Sequence, residues 1–187
     1  KAPSGNEVVF VPVPGAVQSV IDITYAIDLV PATNDALYAS VLNNILGGSG
    51  FQTRLMQNLR EDKAYTYGAY SEITPDDFIG FFSAGASVRN EVTDSSVTEL
   101  LYEMRKLTTD KVDDATLQIV KNIMTGQFAR SLERPQTVAR FAKNIEKYGL
   151  PKNFYETYLE RLNAVTADDI LKIAQRLLLP QNAYITI

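Results

Sequence analysis

At 187 residues, with 45% hydrophobic and 21% charged positions, ten Tyr and eight Phe, the chain suits one domain with a sizeable core and is neither disordered nor fibrous. A net charge of −4 gives no dense cationic footprint for nucleic acid. The absence of His and Cys removes the common zinc ligands, the usual general base and the Ser-His and Cys-His nucleophile systems, so any chemistry of its own falls to carboxylates, Lys or Tyr.

In chain order, Glu7–Val13 is a β-branched run closed by Pro14-Gly15, which predicts a strand and a turn. A clean alternation follows. Ile21, Ile23, Tyr25, Ile27 and Leu29 share one face, and Asp22, Thr24, Ala26 and Asp28 the other, so this strand buries one side and wets the other. Asn34 is placed to cap a helix through Leu46 with an apolar stripe of Leu37, Val41, Leu42 and Ile45. Gly47-Gly48-Ser49-Gly50 breaks it, and a second short helix is expected from Phe51 to about Arg60.

Strands are then predicted over Tyr65–Ile73 and Phe78–Val88, rich in small residues as central strands are. Beyond Asn90 the periodicity is helical almost to the end. Pro135 suits a first helical turn, Gly149 a stop, and Thr166 to Asp169 a capping box. Asn182–Ile187 reads as a returning strand. The order predicts an α+β fold, a mainly antiparallel sheet with helices packed on one face, forming a single two-layer domain over residues 1–187.

No stretch is long and apolar enough to span a bilayer, and no signal peptide is visible. A start at Lys1 that runs straight into a strand suits a processed protein or a piece of a longer chain. Bacterial periplasm and cytoplasm stay open equally.

Several features have plain structural readings. Gly47, Gly48 and Gly50 lack the Lys-Ser/Thr of a phosphate loop and follow a helix, so they read as a helix stop, with mobility near a substrate as the second reading. The acid pairs Asp76-Asp77, Asp113-Asp114 and Asp168-Asp169 sit at turns and helix starts, where they cap N–H groups. The Lys and Arg scattered from Lys121 to Lys147 read as a solvated helix face.

Leu59-Arg60-Glu61-Asp62-Lys63-Ala64-Tyr65-Thr66-Tyr67-Gly68 is different. It sets a guanidinium near a helix end and a phenol just inside the next strand. Arg offers a rigid fork of donors to carbonyl or carboxylate oxygens, and a Tyr hydroxyl can donate to a developing oxyanion. A surface salt bridge plus a packed aromatic would explain the same residues.

The order Gln18-Ser19, Leu46-Gly47-Gly48, Arg54-Leu55, Leu59-Arg60-Glu61 and Tyr67, ending in Val165-Thr166-Ala167-Asp168-Asp169-Ile170, Ala174 and Pro180, resembles the second domain of each half in the insulinase, pitrilysin and mitochondrial processing peptidase family. The resemblance implies a clamshell of α+β domains around a chamber. Zinc sits in the other half on an inverted H-x-x-E-H helix, and this domain supplies Arg60 and Tyr67 as substrate-binding groups. It further implies no metal or cofactor in this chain, zinc in a homologous partner domain or subunit, a peptide substrate, and neither nucleic acid nor membrane as partner; a homodimer stays open. The family often has Gly-Leu where this chain has Ala64-Tyr65. Two other readings stand beside the peptidase one: a family member that has lost catalysis and serves as a scaffold or partner subunit, and an unrelated α+β module for a small ligand.

Overall fold

Period-two burial organises the sheet. In β2 (Gln18–Ile27), Ile21, Ile23, Tyr25 and Ile27 are buried, while Val20, Asp22, Thr24 and Ala26 point the other way. Its partner β4 (Gly80–Arg89) pairs with it antiparallel over their whole length, Gln18 to Arg89 through Ile27 to Gly80. Phe82, Ala84, Ala86 and Val88 continue the buried face, and Tyr25 stacks on Phe82 at 4.8 Å between ring centroids. The small residues of β4 let helices approach closely.

The structure, a computed structural model, describes residues 3–48 and 50–187. Lys1, and Ser49 of the glycine cluster, lie outside them. Among these residues a five-stranded sheet runs in the order β1-β5-β2-β4-β3, with β1 (Glu7–Val9), β3 (Thr66–Thr74) and β5 (Tyr184–Thr186) completing it. β1 pairs parallel to β5; every other pairing is antiparallel. The α+β reading is borne out. Two details differ: the first strand stops at Val9 instead of Val13, and β3 is an edge strand, so only β4 of the two small-residue strands is central.

The buried face is covered by α1 (Asn34–Leu46), α2 (Thr93–Thr109) and α6 (Ala167–Leu177), which pack on one another and on the strands. The cap of α1 is Thr33, whose hydroxyl accepts from Ala36 N at 3.1 Å, and Asn34 is the first helical residue. Between α2 and α6 run α3 (Asp114–Ser131), α4 (Pro135–Tyr148) and α5 (Tyr158–Ala164). Pro135 opens α4 as expected, and Gly149 stops it at φ 58°, where a side chain would be strained. Lys121 departs from the solvated-face reading. It is buried, with Nζ donating to Asn163 O at 2.8 Å, and ties α3 to the end of α5.

The acid pairs cap as their positions predict. Asp113 accepts from Thr116 N at 2.8 Å, Asp76 accepts from Phe78 N and Ile79 N, and Asp169 completes a capping box with Thr166. The Thr166 hydroxyl, 2.7 Å away, is the main cause holding the Asp169 carboxyl below its ordinary value of 3.8. A depressed carboxyl stabilises the fold above that ordinary value, and its contribution fades as pH falls below it. Thr166→Ala should therefore lower unfolding free energy in urea by about 1 kcal/mol at pH 7. The gap between variant and wild type should narrow at pH 3.

Candidate functional site

The segment that carries Arg60 and Tyr67 is built from a helix end, a tight loop and a bulged strand start. The expected second short helix begins later than Phe51 and is wound as a π-helix over Met56–Asp62. One reason is lateral ties from α2. Glu103, nearly buried, accepts from Arg54 Nε at 2.6 Å and from Asn58 Nδ2 at 2.8 Å; Asn58 also donates to Glu99 at 2.9 Å, and Lys63 pairs with Glu99 at 3.3 Å. These bonds hold the helix just before, within and just after its span. π-helical segments concentrate where a backbone must place a side chain for function.

The helix closes with Lys63 N, Ala64 N and Tyr65 N donating to Asn58 O, Arg60 O and Leu59 O. Ala64 then sits at φ 52°, in the left-handed region that favours glycine. Arg89, from the end of β4, donates to Ala64 O at 2.7 Å and holds the loop there.

β3 begins with a bulge. Thr66 pairs with Val88 and Ala69 with Ala86, so three steps on β3 oppose two on β4. The Thr66 hydroxyl pins the bulge: it lies 2.6 Å from Ser87 O and accepts from Gly68 N at 3.1 Å. Ala69 N is satisfied by Met56 Sδ at 3.3 Å, which ties the bulge to the π-helix. The extra residue puts Tyr67 on display, 91% exposed. Tyr67 lines a shallow groove of about 420 Å³ with Gln18, Tyr70 and Ser87.

Arg60 lies in the last turn of the π-helix, one third exposed. Its guanidinium sits 4.4 Å from the Phe51 ring centroid, and Nη1 is 3.3 Å from Glu61 Oε1. Arg60 and Tyr67 thus flank one short loop, but among the described residues they make no hydrogen bond or ring contact with each other. The plain reading is right about the Arg60 salt bridge and wrong about a packed aromatic, since Tyr67 touches little of this chain.

Gly47 is held closely. A side chain there would stand 2.7 Å from Ser71 N and 2.8 Å from Leu55, and its carbonyl accepts from Ser71 N at 2.9 Å. It ends α1 and lets the chain lie directly against β3. Gly50 has φ 93°, which suits glycine alone.

The bare face of the sheet carries a feature that sequence reading does not single out. Tyr70, Gly85 and Asp22 lie in one row across β3, β4 and β2. A Cβ on Gly85 would stand 2.2 Å from Ile21 O and 3.0 Å from the Tyr70 hydroxyl. Across that gap Tyr70 donates to Asp22 Oδ1 at 2.5 Å, a charge-assisted bond. Partial burial, and then this bond, push the Tyr70 phenol up to about 12. The alternation of β2 did mark Asp22 as outward. Tyr70 comes from 48 positions away, and no local pattern could pair them.

The chain has no His or Cys, and among the described residues no group of three or more acids is placed to hold a metal ion. No helix among them is long and apolar enough to cross a membrane.

Residues 2–124 match the profile of the peptidase M16 inactive domain. An uncharacterized zinc protease of Bacillus subtilis (strain 168), YmxG, is 32% identical over 139 residues, covering 73% of this chain and 33% of its own. An uncharacterized zinc protease of Rickettsia felis is 29% identical over 153 residues, covering 76% and 34%. The chain therefore spans about a third of the curated relatives it matches. The fold is that of the crystal structure of a peptidase M16 inactive domain from Pseudomonas fluorescens, at TM-score 0.86 and 21% identity over 98% of this chain and 43% of that one.

The strained Ala64 predicts a simple mutational pattern. Ala64→Val should destabilise by about 1–2 kcal/mol, because a β-branched side chain resists positive φ. Ala64→Gly should leave the midpoint of thermal unfolding unchanged or raise it. Scanning calorimetry on the three proteins checks the order.

Proposed function

Because the chain belongs to the peptidase M16 inactive-domain family, we propose that it is the substrate-handling domain of a zinc-dependent endopeptidase whose metal is held elsewhere, in a homologous domain of a longer chain or in a partner subunit. Residues 1–187 form one α+β domain of that assembly. The observation that carries this reading is Tyr67, 91% exposed on a bulge fixed by hydrogen bonds at both ends. An aromatic set on a pinned backbone that contributes nothing to its own core is suited to another molecule.

In this role Arg60 holds carbonyl oxygens of an extended peptide, and the Tyr67 hydroxyl donates to the reacting carbonyl as charge grows on it. Releasing Arg60 from Glu61 costs little, because an exposed ion pair is worth about 0–1 kcal/mol. The bare sheet face supports the same reading. Val20, Tyr70 and Phe81 are exposed along it, an apolar wall of the kind that closes a chamber when a second domain faces it.

One observation favours the scaffold reading. Arg60 already has a carboxylate and a ring as partners, which would suffice if it no longer met substrate. The full-length protein separates the two. Arg60→Ala and Tyr67→Phe should each lower turnover of a quenched fluorescent peptide by roughly 100-fold, with zinc content by atomic absorption unchanged. Undiminished turnover in both variants contradicts the assignment, and a wild-type protein without turnover points to the scaffold.

A further inference from the structure

A second groove lies on the same bare face, beside the one that Tyr67 lines. It encloses about 760 Å³ between the segment after β1 and the start of β2, within the range of small-ligand sites. Its walls are apolar: Phe10, Val11, Val13 and Val20 are all more than half exposed. Gln18 lines both grooves, so the two adjoin on the sheet.

The groove contains one ionisable side chain, Asp22. No Lys or Arg pairs with it among the described residues; its bond is the one from Tyr70 to Oδ1. A carboxylate accepts through two oxygens with about four lone-pair directions, so a single phenol leaves most of its acceptor capacity unused. Tyr70 also fixes its orientation. Gly85 makes the arrangement possible, because any larger residue in the middle strand would separate phenol from carboxylate. An apolar trough ending in an oriented, unpaired carboxylate complements a side chain with a long hydrocarbon stem and a cationic tip. A neutral apolar chain would leave the carboxylate desolvated without compensation, and an acidic one would be repelled.

Resting on the reading of this face as peptide-contacting, we infer that the Asp22 groove is a specificity pocket for a lysine or arginine side chain of the bound peptide. Asp22 receives the cation, Tyr70 orients Asp22, and Phe10, Val11, Val13 and Val20 pack on the stem. Two strand spacings of about 4.8 Å, and two to three residues along the strand at about 3.3 Å each, put Asp22 roughly 13 Å from Tyr67. The basic residue therefore falls about four positions from the carbonyl that Tyr67 contacts.

The test uses the full-length protein with turnover blocked by chelator. Labelled, end-capped decapeptides carry lysine, norleucine or glutamate at each position in turn, and binding is read by fluorescence anisotropy. Norleucine keeps the stem and removes the charge. At one position lysine should bind about tenfold tighter than norleucine and glutamate weaker than both. In Asp22→Asn, a near-isosteric change, the lysine advantage should fall to twofold or less. Equal binding of lysine and norleucine at every position in the wild type, or a lysine advantage that survives in Asp22→Asn, overturns the inference. Turnover measured in parallel keeps the two proposals apart. Cleavage that depends on Arg60 without any lysine preference removes only the pocket, whereas lysine-selective binding without cleavage removes only the peptidase reading.

Discussion

The structure depends on burying one face of the β2–β4 pair and leaving the other bare. Ile21, Ile23, Tyr25 and Ile27 from one strand and Phe82, Ala84, Ala86 and Val88 from the other form a continuous apolar floor under α1, α2 and α6. Fully burying a single such large side chain is worth about 1.5–3 kcal/mol, far more than the surface ion pairs of this chain can supply. Tyr25 locks the floor to the end of α6, donating to Leu177 O at 3.0 Å and accepting from Leu179 N at 2.9 Å. Burial holds its phenol well above the ordinary range, so it stays neutral and keeps both bonds. With that face committed to the core, the opposite face and the loops at its rim stay exposed.

Rigidity at the rim comes from elements that lie far apart in sequence. α2 reaches the π-helix through Glu103 and Glu99, the end of β4 reaches Ala64 through Arg89, and β3 returns to the π-helix through Ala69 and Met56. A loop tied at so many points presents its side chains in a fixed geometry, and preorganised donors are the ones that lower barriers. The same logic extends across the bare face, where Tyr70 and Asp22 constrain one another over Gly85.

Much of this was legible before the structure. Strict alternation in β2 named the buried set because a period of two leaves no other arrangement, and Pro135 with Gly149 bracketed α4 to the residue. The capping box at Thr166 was read from local chemistry alone. Local reading fell short where distant contacts decide. Thr33 takes the cap of α1 instead of Asn34, a one-residue shift between two good capping residues. The π-helix winds where α2 ties it, which its own sequence does not announce. Lys121 is buried because Asn163 offers a carbonyl 42 positions on. The motif string singles out Arg60 and Tyr67 as an expectation, but the exposure of Tyr67 comes from a bulge whose staple, the Thr66 hydroxyl, needs Ser87 of the neighbouring strand.

On the proposed peptidase reading, the rim and bare face around Tyr67 meet substrate while the helical side does not. It is tested most directly by photo-crosslinking in the full-length protein, with p-benzoylphenylalanine placed at Tyr67 or at Tyr102, an exposed tyrosine of α2 on the helical side. A peptide substrate should be captured from position 67 and not from position 102. Equal capture at both, or capture from position 102 alone, would contradict it.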